Sequence, residues 1–336
     1  MMRHTALPDE FTLVARYFAP LAKRVPGAFG LLDDAAVIGP ADGNELVVKT
    51  DTIVAGIDFP PEEPADFVSR KALRVNLSDL AAKGAVPRAY LLDLVLPESV
   101  KESWVAQFAD GLRRDQDEYG IQLIGGDSSS TSGPVTVAIT AIGEVPKNCM
   151  IRRNGARPRD HIFVTGTIGD SALGWALLRG SISTDDADCT EFLIDRYRLP
   201  QPRSSLGPKL MGIVTGGIDI SDGLVADLRH LCSVSGLSAT IKSVEVPVSS
   251  AAQSIVARDP QRLKNVLTGG DDYEILFTAP AEAAASIQQL ARVTGVPVTA
   301  IGTMSAAPAK DEPDVVVLDG FGRPIELAFE GWTHFG

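Results

Sequence analysis

The sequence lacks the marks of several large classes of protein. Its three cysteines lie far apart without a CxxC pair, so neither a disulfide framework nor a thiolate zinc site is indicated. Its four histidines form no HExxH or paired motif, which excludes the common zinc-enzyme patterns. It has no run near the roughly 18 apolar residues of a membrane span, and no basic start followed by an apolar stretch. These absences predict a cytosolic protein that is neither secreted nor embedded in a membrane.

Positive charge is also scarce. The 336 residues carry a formal net charge of −12, and no basic cluster gathers along the chain, which argues against nucleic acid as a partner. An acidic protein that handles phosphates must obtain positive charge from elsewhere. Divalent metal is the obvious source.

The common nucleotide-binding motifs are missing as well. The chain contains no GK[ST], no GxGxxG that follows a strand and opens a helix, and no HRD or DFG set. An enzyme of phosphoryl transfer with this sequence would therefore use acids and metals in place of a P-loop lysine.

The length and pattern indicate two domains of mixed structure. A chain of 336 residues is too long for one ordinary core. Strands and helices alternate in both halves, which predicts α/β or α+β domains. We place the boundary in the proline-flanked segment 148–160, with domains at 1–150 and 151–336.

Aspartates recur in one local context, in which an apolar strand or turn is followed by Asp among Gly, Ser or Thr. These clusters are Asp33 with Asp34, Asp51, Asp127, Asp219 with Asp222, and Asp271 with Asp272. Each one alone is more often a turn residue or a helix cap than a functional acid. Asp79 differs, because it lies in a helical pattern whose leucines predict a core face, and its simple alternative is a solvated helix flank.

Convergence of these carboxylates would require cations. Two carboxylates about 5 Å apart at an effective dielectric of about 20 repel by roughly 3 kcal/mol. Mg²⁺ suits such a site, because it prefers carboxylate and water oxygens and bridges to phosphates. The glycine pairs before Asp127 and Asp271 would let backbone N–H groups approach a phosphate closely.

Seven segments together resemble one known family over essentially the whole chain. They are FTLVARYF (11–18), TDTIVAG (50–56), KALRVNLSDLAAKGA (71–85), QLIGGD (122–127), IDISDGL (218–224), GGDDYEILF (269–277) and GWTHF (331–335). Their order and spacing resemble the thiamine-monophosphate kinases. The resemblance implies ATP-dependent phosphorylation of thiamine monophosphate to thiamine diphosphate. It also implies a two-domain aminoimidazole-ribotide synthetase-like fold, with N-terminal domains paired into a β-barrel across a homodimer and a C-terminal α/β domain.

Carried over by position, the resemblance implies metal, nucleotide and substrate contacts. The Mg²⁺ ligands would be Asp34, Thr50, Asp51, Asp79, Asp127, Asp219 and Asp222. The ATP contacts would be Gly126, Asp127, Arg153 and Ser221. The thiamine-side contacts would be Asp58, Asp271, and Phe329 or Trp332. No covalent nucleophile or general base is expected, because the accepting phosphate is already largely ionised at pH 7.

The chain departs from the family pattern on the substrate side. The family usually has Gly, Ser, His, Thr and Glu where this chain has Leu32, Lys49, Asp58, Ser128 and Asp271. The predicted metal acids are intact, so phosphoryl transfer is better supported than the acceptor. Two alternatives stay open: a related ATP-dependent enzyme acting on another small substrate, and a non-catalytic binder of nucleotide or thiamine phosphate.

Overall fold

The structure, a computed structural model, describes residues 7–307 and 314–327 of the chain. Within these residues the chain divides into two units. The first comprises 7–80 and 85–148, and the second comprises 81–84, 149–307 and 314–327. The boundary proposed from the sequence, between residues 150 and 151, stays a prediction.

The first unit is built on a four-stranded sheet with the order β1-β4-β2-β3, in which β2 and β3 run parallel and the other pairs antiparallel. Its strands are β1 (Asn44–Val54), β2 (Val86–Pro97), β3 (Gln122–Thr131) and β4 (Thr136–Pro146). Its α-helices are α1 (Glu10–Leu13), α2 (Ala65–Ala82, whose last two residues count with the second unit) and α3 (Glu102–Tyr119).

Helices α2 and α3 pack closely because one side chain is missing at their contact. Leu73, Leu77 and Leu80 of α2 are fully buried, as the helical pattern predicts. Gly111 of α3 lies against the Ser69 hydroxyl and the backbone of α2, so that a Cβ at position 111 would overlap them. A glycine inside a helix costs up to about 1 kcal/mol relative to alanine, and here the close approach of the helices gives the reason for it.

A buried ion pair also joins these two helices. Arg74 of α2 donates to both carboxylate oxygens of Asp115 on α3, at 2.7 and 2.9 Å, and Arg70 adds a third bond of 2.9 Å. Asp115 is fully buried. The fork of Arg74 satisfies this carboxylate, which would otherwise be costly to remove from water. The position of α2, and with it the position of Asp79, is therefore strongly specified.

The N-terminal segment is helical but irregular. After α1 the backbone widens into a π-helical turn at Val14–Phe18 and then tightens into a 3₁₀ turn at Ala19–Ala22. Pro20 explains the change, because proline lacks the N–H of a regular helical bond and its ring clashes with the carbonyl four residues earlier.

The second unit is built on a six-stranded sheet with the order β10-β7-β9-β5-β8-β6, in which β10 and β7 run parallel and the other pairs antiparallel. Its strands are β5 (His161–Thr165), β6 (Gly216–Asp219), β7 (Leu237–Lys242), β8 (Ile275–Ala279), β9 (Val298–Ala306) and β10 (Val315–Leu318). Its helices are α4 (Asp170–Leu178), α5 (Ala187–Arg198), α6 (Leu224–Ser235), α7 (Ser250–Arg258), α8 (Arg262–Thr268) and α9 (Ala284–Thr294).

This sheet buries both of its faces. Ile162 and Val164 of β5 belong to the apolar cluster that includes α6, whereas Phe163 belongs to the cluster that includes Ile287 of α9. Adjacent residues of one strand thus point to opposite sides. Phe163 stacks on Phe277 of β8 with ring centroids 5.3 Å apart. The predicted α/β (α+β) class is confirmed, and the pairing of N-terminal domains into a barrel stays a prediction.

The described ranges contain no helix with the length and apolar character needed to cross a membrane.

Candidate functional site

Two of the predicted metal ligands meet in the first unit. Asp51 lies in β1, on the inward face that also carries the buried Val47 and Ile53. Helix α2 brings Asp79 to the same place. The ammonium of Lys49 lies 3.2 Å from Asp51 Oδ1 and 3.0 Å from Asp79 Oδ2, so both carboxylates converge on one cation. Asp79 is 8% exposed, which excludes a solvated helix flank.

The surroundings of this pair disfavour an uncompensated negative charge. Burial raises the pKa of Asp51 to about 6, and the carboxylate of Asp79 adds to that rise while Lys49 opposes it. Burial also works against the charge of Lys49, but Asp79 and Asp51 outweigh it and raise the pKa of the ammonium above its ordinary value. Two carboxylates thus face a single ammonium group.

The other predicted ligands of the first unit lie apart from this pair. Thr50 points to the opposite face of β1, where its hydroxyl accepts a 3.1 Å bond from Thr140. Asp127 is exposed on β3, opposite Asp93 in the parallel register. Asp34 is exposed in a loop, with its N–H bonded to the Asp33 carboxylate at 2.8 Å.

Across residues 7–307 and 314–327, no three His, Cys, Asp or Glu side chains are grouped so that they could hold a metal ion. Among the described residues the predicted metal acids that meet are therefore the pair Asp51 and Asp79, and not a complete cage. This arrangement suits Mg²⁺, which usually keeps several waters and binds through one or two carboxylates together with substrate phosphates.

The fold requires glycine at position 126, whether or not a ligand binds there. A Cβ at this position would collide with the backbone carbonyl of Leu92 on the neighbouring strand β2. Its φ of 152° is in addition a conformation that L-residues rarely adopt. Glycine is therefore required by the strand pairing, and its role in ATP binding stays a prediction.

In the second unit, the predicted residues after β6 are arranged around an acid that sequence reasoning missed. The Oδ2 atom of Asp227, in the first turn of α6, accepts the backbone N–H groups of Ser221 and Asp222, each at 3.0 Å. Asp219 lies buried at the end of β6, just before this turn. Asp227 fixes the turn in which Ser221 and Asp222 lie. Its sequence signal was an acidic residue in the first turn of a helix, five positions after an Asp-containing loop.

The surroundings of Asp227 disfavour the charged form of its side chain. Burial raises the pKa of Asp227 to about 7, and the neighbouring charge of Asp222 contributes in the same direction. The two backbone N–H groups lower it in part, and so does the positive charge of Arg153. Arg153, a predicted ATP contact in the short turn Arg153–Gly155, is thus close enough to influence the Asp227 carboxylate electrostatically.

Asp271 joins the same neighbourhood. Its N–H donates to the carbonyl of Ser221 at 2.9 Å, and its carboxylate accepts a 3.2 Å bond from the Tyr273 hydroxyl. Its φ is 70°, a left-handed value that aspartate tolerates better than most residues. The structure therefore brings together a predicted ATP contact, Ser221, and a predicted substrate contact, Asp271.

The acids that follow Asp271 have a structural role. The Glu274 carboxylate is fully buried and accepts bonds from Arg196 at 2.8 Å, Arg203 Nε at 2.6 Å and Thr165 at 2.6 Å. Asp272 accepts the N–H of Gly169 at 2.8 Å, and burial raises the pKa of Asp272 well above its ordinary value. Sequence reasoning missed the two arginines, because they are distant from this motif along the chain.

The remaining predicted substrate contacts either have a structural role in the fold or lie outside the described residues. Asp58 Oδ2 accepts the N–H of Val54 at 2.8 Å, so this carboxylate closes the turn that follows β1. Lys71 donates to the Asp58 carbonyl at 3.1 Å. Phe329 and Trp332 lie outside the described residues. All four predicted substrate contacts, including Asp271, stay predictions.

The two halves match two known domain families. Residues 32–145 match the N-terminal domain of AIR synthase related proteins, and residues 157–312 match their C-terminal domain. These two matches, together with the two-unit fold, place the chain among the AIR synthase related proteins.

Comparison with individual proteins identifies the family within this class. The chain is 39% identical over 328 residues to the thiamine-monophosphate kinase of Escherichia coli K12, covering 97% of this chain and 98% of that one. It is 36% identical to the solved thiamine-monophosphate kinase of Stenotrophomonas maltophilia K279a, with a TM-score of 0.81 over 93% of this chain and 98% of that chain. A second structure, named as AaThiL complexed with AMPPCP and TMP, is 30% identical with a TM-score of 0.77 at the same coverages. The chain belongs to the thiamine-monophosphate kinase family.

Proposed function

We propose that this enzyme transfers the terminal phosphoryl group of ATP to the phosphate of thiamine monophosphate, forming thiamine diphosphate and ADP with the help of Mg²⁺. The observation that carries the proposal is its relationship to thiamine-monophosphate kinases over almost the full length of both chains. One of these related structures holds an ATP analogue and TMP together. The convergence of Asp51 and Asp79 in the first unit suits the binding of Mg²⁺ together with such phosphates.

The donor set fits Mg²⁺. Asp51 and Asp79 already converge on one positive charge in this structure, which supports their assignment as a ligand pair. Asp34, Thr50 and Asp127 in the first unit, and Asp219 and Asp222 in the second, complete the proposed set. When bound, Mg²⁺ supplies the charge neutralisation that phosphoryl transfer requires.

The chain's own residues supply positioning. Ser221 and Arg153 are proposed to contact ATP, together with the Gly126–Asp127 segment of β3. The Asp227 carboxylate accepts two backbone N–H groups of the turn that contains Ser221, so the geometry of this turn is fixed before the nucleotide binds. Asp58, Asp271, Phe329 and Trp332 are proposed to contact thiamine monophosphate.

The chemistry requires no general base. The accepting phosphate has a second pKa near 6 and is largely dianionic at pH 7, so its oxygen attacks without prior deprotonation by the enzyme. We infer a direct in-line transfer without a phosphoenzyme. Positioning and electrostatic stabilisation would then provide most of the rate enhancement.

The enzyme is further proposed to act as a cytoplasmic homodimer. β1 and β3 are the outer strands of the first unit's sheet within the described residues, and Val48 on β1 is 62% exposed. Outer strands of this kind are commonly covered by association. Light scattering at micromolar concentration should give about twice the 35.6 kDa mass of the chain, and a monomer mass would refute the dimer.

Product identification tests the function. Purified protein incubated with ATP, Mg²⁺ and thiamine monophosphate should form thiamine diphosphate and ADP in equal amounts, and excess chelator should stop the reaction. ADP without thiamine diphosphate would refute the proposed acceptor. Undiminished turnover in chelator would refute the metal requirement.

A further inference from the structure

Lys49 occupies a position in which a charged side chain needs an explanation. It lies on the inward face of β1, in the same row as the buried Val47 and Ile53, and is only partly exposed. Placing a lysine there orders a long flexible side chain and removes part of its charge from water, and both changes are unfavourable. The contacts of its ammonium must outweigh these costs.

Those contacts are the two acids of the pair. The Nζ atom lies 3.2 Å from Asp51 Oδ1 and 3.0 Å from Asp79 Oδ2, and the Asp79 side chain is 12% exposed against 36% for Asp51. The backbone accounts for the geometry, since residues two apart on a strand share a face. Lys49 and Asp51 therefore point together toward Asp79 on α2. The ammonium lies within 3.2 Å of both carboxylates, whose like charges would otherwise repel each other.

We propose that Lys49 is a built-in cation of this site, which holds Asp51 and Asp79 together without metal and takes the place of one divalent ion. This inference rests on the proposed role of the two acids as metal ligands. Since like charges repel, the ammonium disfavours a divalent ion between Asp51 Oδ1 and Asp79 Oδ2, and it leaves the other oxygen of each carboxylate for Mg²⁺.

The first measurement is the melting temperature of the metal-free protein. Lys49→Met keeps the length of the side chain but removes its charge, leaving two carboxylates in contact with no counter-ion. In excess chelator we expect this variant to melt at least about 3 °C below the wild type. Lys49→Arg, which keeps the charge, should recover most of the difference. Lys242→Met is the matched control, because it removes a lysine from an exposed 2.8 Å ion pair with Glu245 and should change little.

The second measurement counts bound ions. Full-length protein without nucleotide is titrated with Mn²⁺, and free Mn²⁺ is followed by electron paramagnetic resonance. Lys49→Met should bind one more Mn²⁺ ion per chain than the wild type, and Lys49→Arg should match the wild type. The extra ion should disappear in the double variant Lys49→Met/Asp79→Asn, which shows that it binds at this pair.

Two results would overturn the inference. Equal Mn²⁺ counts for Lys49→Met and wild type would mean that Lys49 moves aside and replaces no ion. A melting temperature in chelator that matches the Lys242→Met control would mean that Lys49 does not hold the acids together. Neither measurement uses ATP or thiamine monophosphate. Failure of the proposed kinase reaction would therefore leave this inference standing, and failure here would leave the reaction untouched.

Discussion

Replacing Asp51 with asparagine should make the metal-free protein more stable, although it removes an ion-pair partner. The pKa of Asp51 is raised to about 6 from an ordinary value of 3.8, so the folded state disfavours its charged form. At about 1.36 kcal/mol per pKa unit, the shift corresponds to about 3 kcal/mol. The side chain is 36% exposed, however, and water screens its interactions, so we expect about 1 kcal/mol. Asp51→Asn also leaves Lys49 and Asp79 as a neutral pair.

The pH dependence gives the sign of the effect. Because the folded pKa lies above the unfolded one, the stability linked to this group is fully present below pH about 4 and is lost as pH rises through about 6. Asparagine does not titrate, so the stability of the variant does not change with pH through this position. The melting temperature of Asp51→Asn minus that of the wild type should therefore be smallest near pH 4 and reach its full value above pH 6. The increase over this range should be about 2 to 4 °C.

The assay is thermal unfolding in excess chelator, followed by circular dichroism at low protein concentration from pH 4 to 8. Asp185→Asn is the control, because Asp185 is an exposed aspartate outside the proposed sites, and the trend of Asp51→Asn is judged against it. Turnover of Asp51→Asn with saturating Mg²⁺ should fall steeply. A variant that is less stable than the wild type at pH 8, or a difference that does not change with pH, would refute the electrostatic argument.

Two further predictions concern the second unit. Asp227→Ala removes the acceptor of two backbone N–H groups, so we expect turnover to fall at least about tenfold and the half-maximal Mg²⁺ concentration to rise, with recovery in Asp227→Asn. Unchanged Mg²⁺ dependence in Asp227→Ala would exclude a positioning role. Glu274→Gln removes the buried negative charge that accepts bonds from Arg196 and Arg203, and should cost about 3 kcal/mol of unfolding free energy in thermal or urea unfolding. Glu245→Gln, at an exposed pair, should cost less than about 1 kcal/mol, and equal losses for the two variants would contradict this reading of the buried network.

Much of the architecture was accessible from local patterns. The apolar periodicity of α2 predicted the burial of Leu73, Leu77 and Leu80, and alternation along the chain predicted a mixed α/β class. These predictions succeed because the faces of helices and strands are set by residues close together in sequence. The helices α5, α7 and α8 were not predicted from the sequence.

The sequence by itself determined the identity of the acids, their glycine-rich surroundings and, through its seven segments, the family to which the chain belongs. The tertiary structure decided which acids meet. Asp51 and Asp79 are 28 positions apart and come together only because α2 packs beside β1, and Lys49 stands between them because it shares a strand face with Asp51. The partners of Asp227 were also decided by the tertiary structure, because the turn after β6 brings the N–H groups of Ser221 and Asp222 to its carboxylate. Electrostatic partnership depends on distance in space and on burial, and neither quantity is contained in the local order of residues.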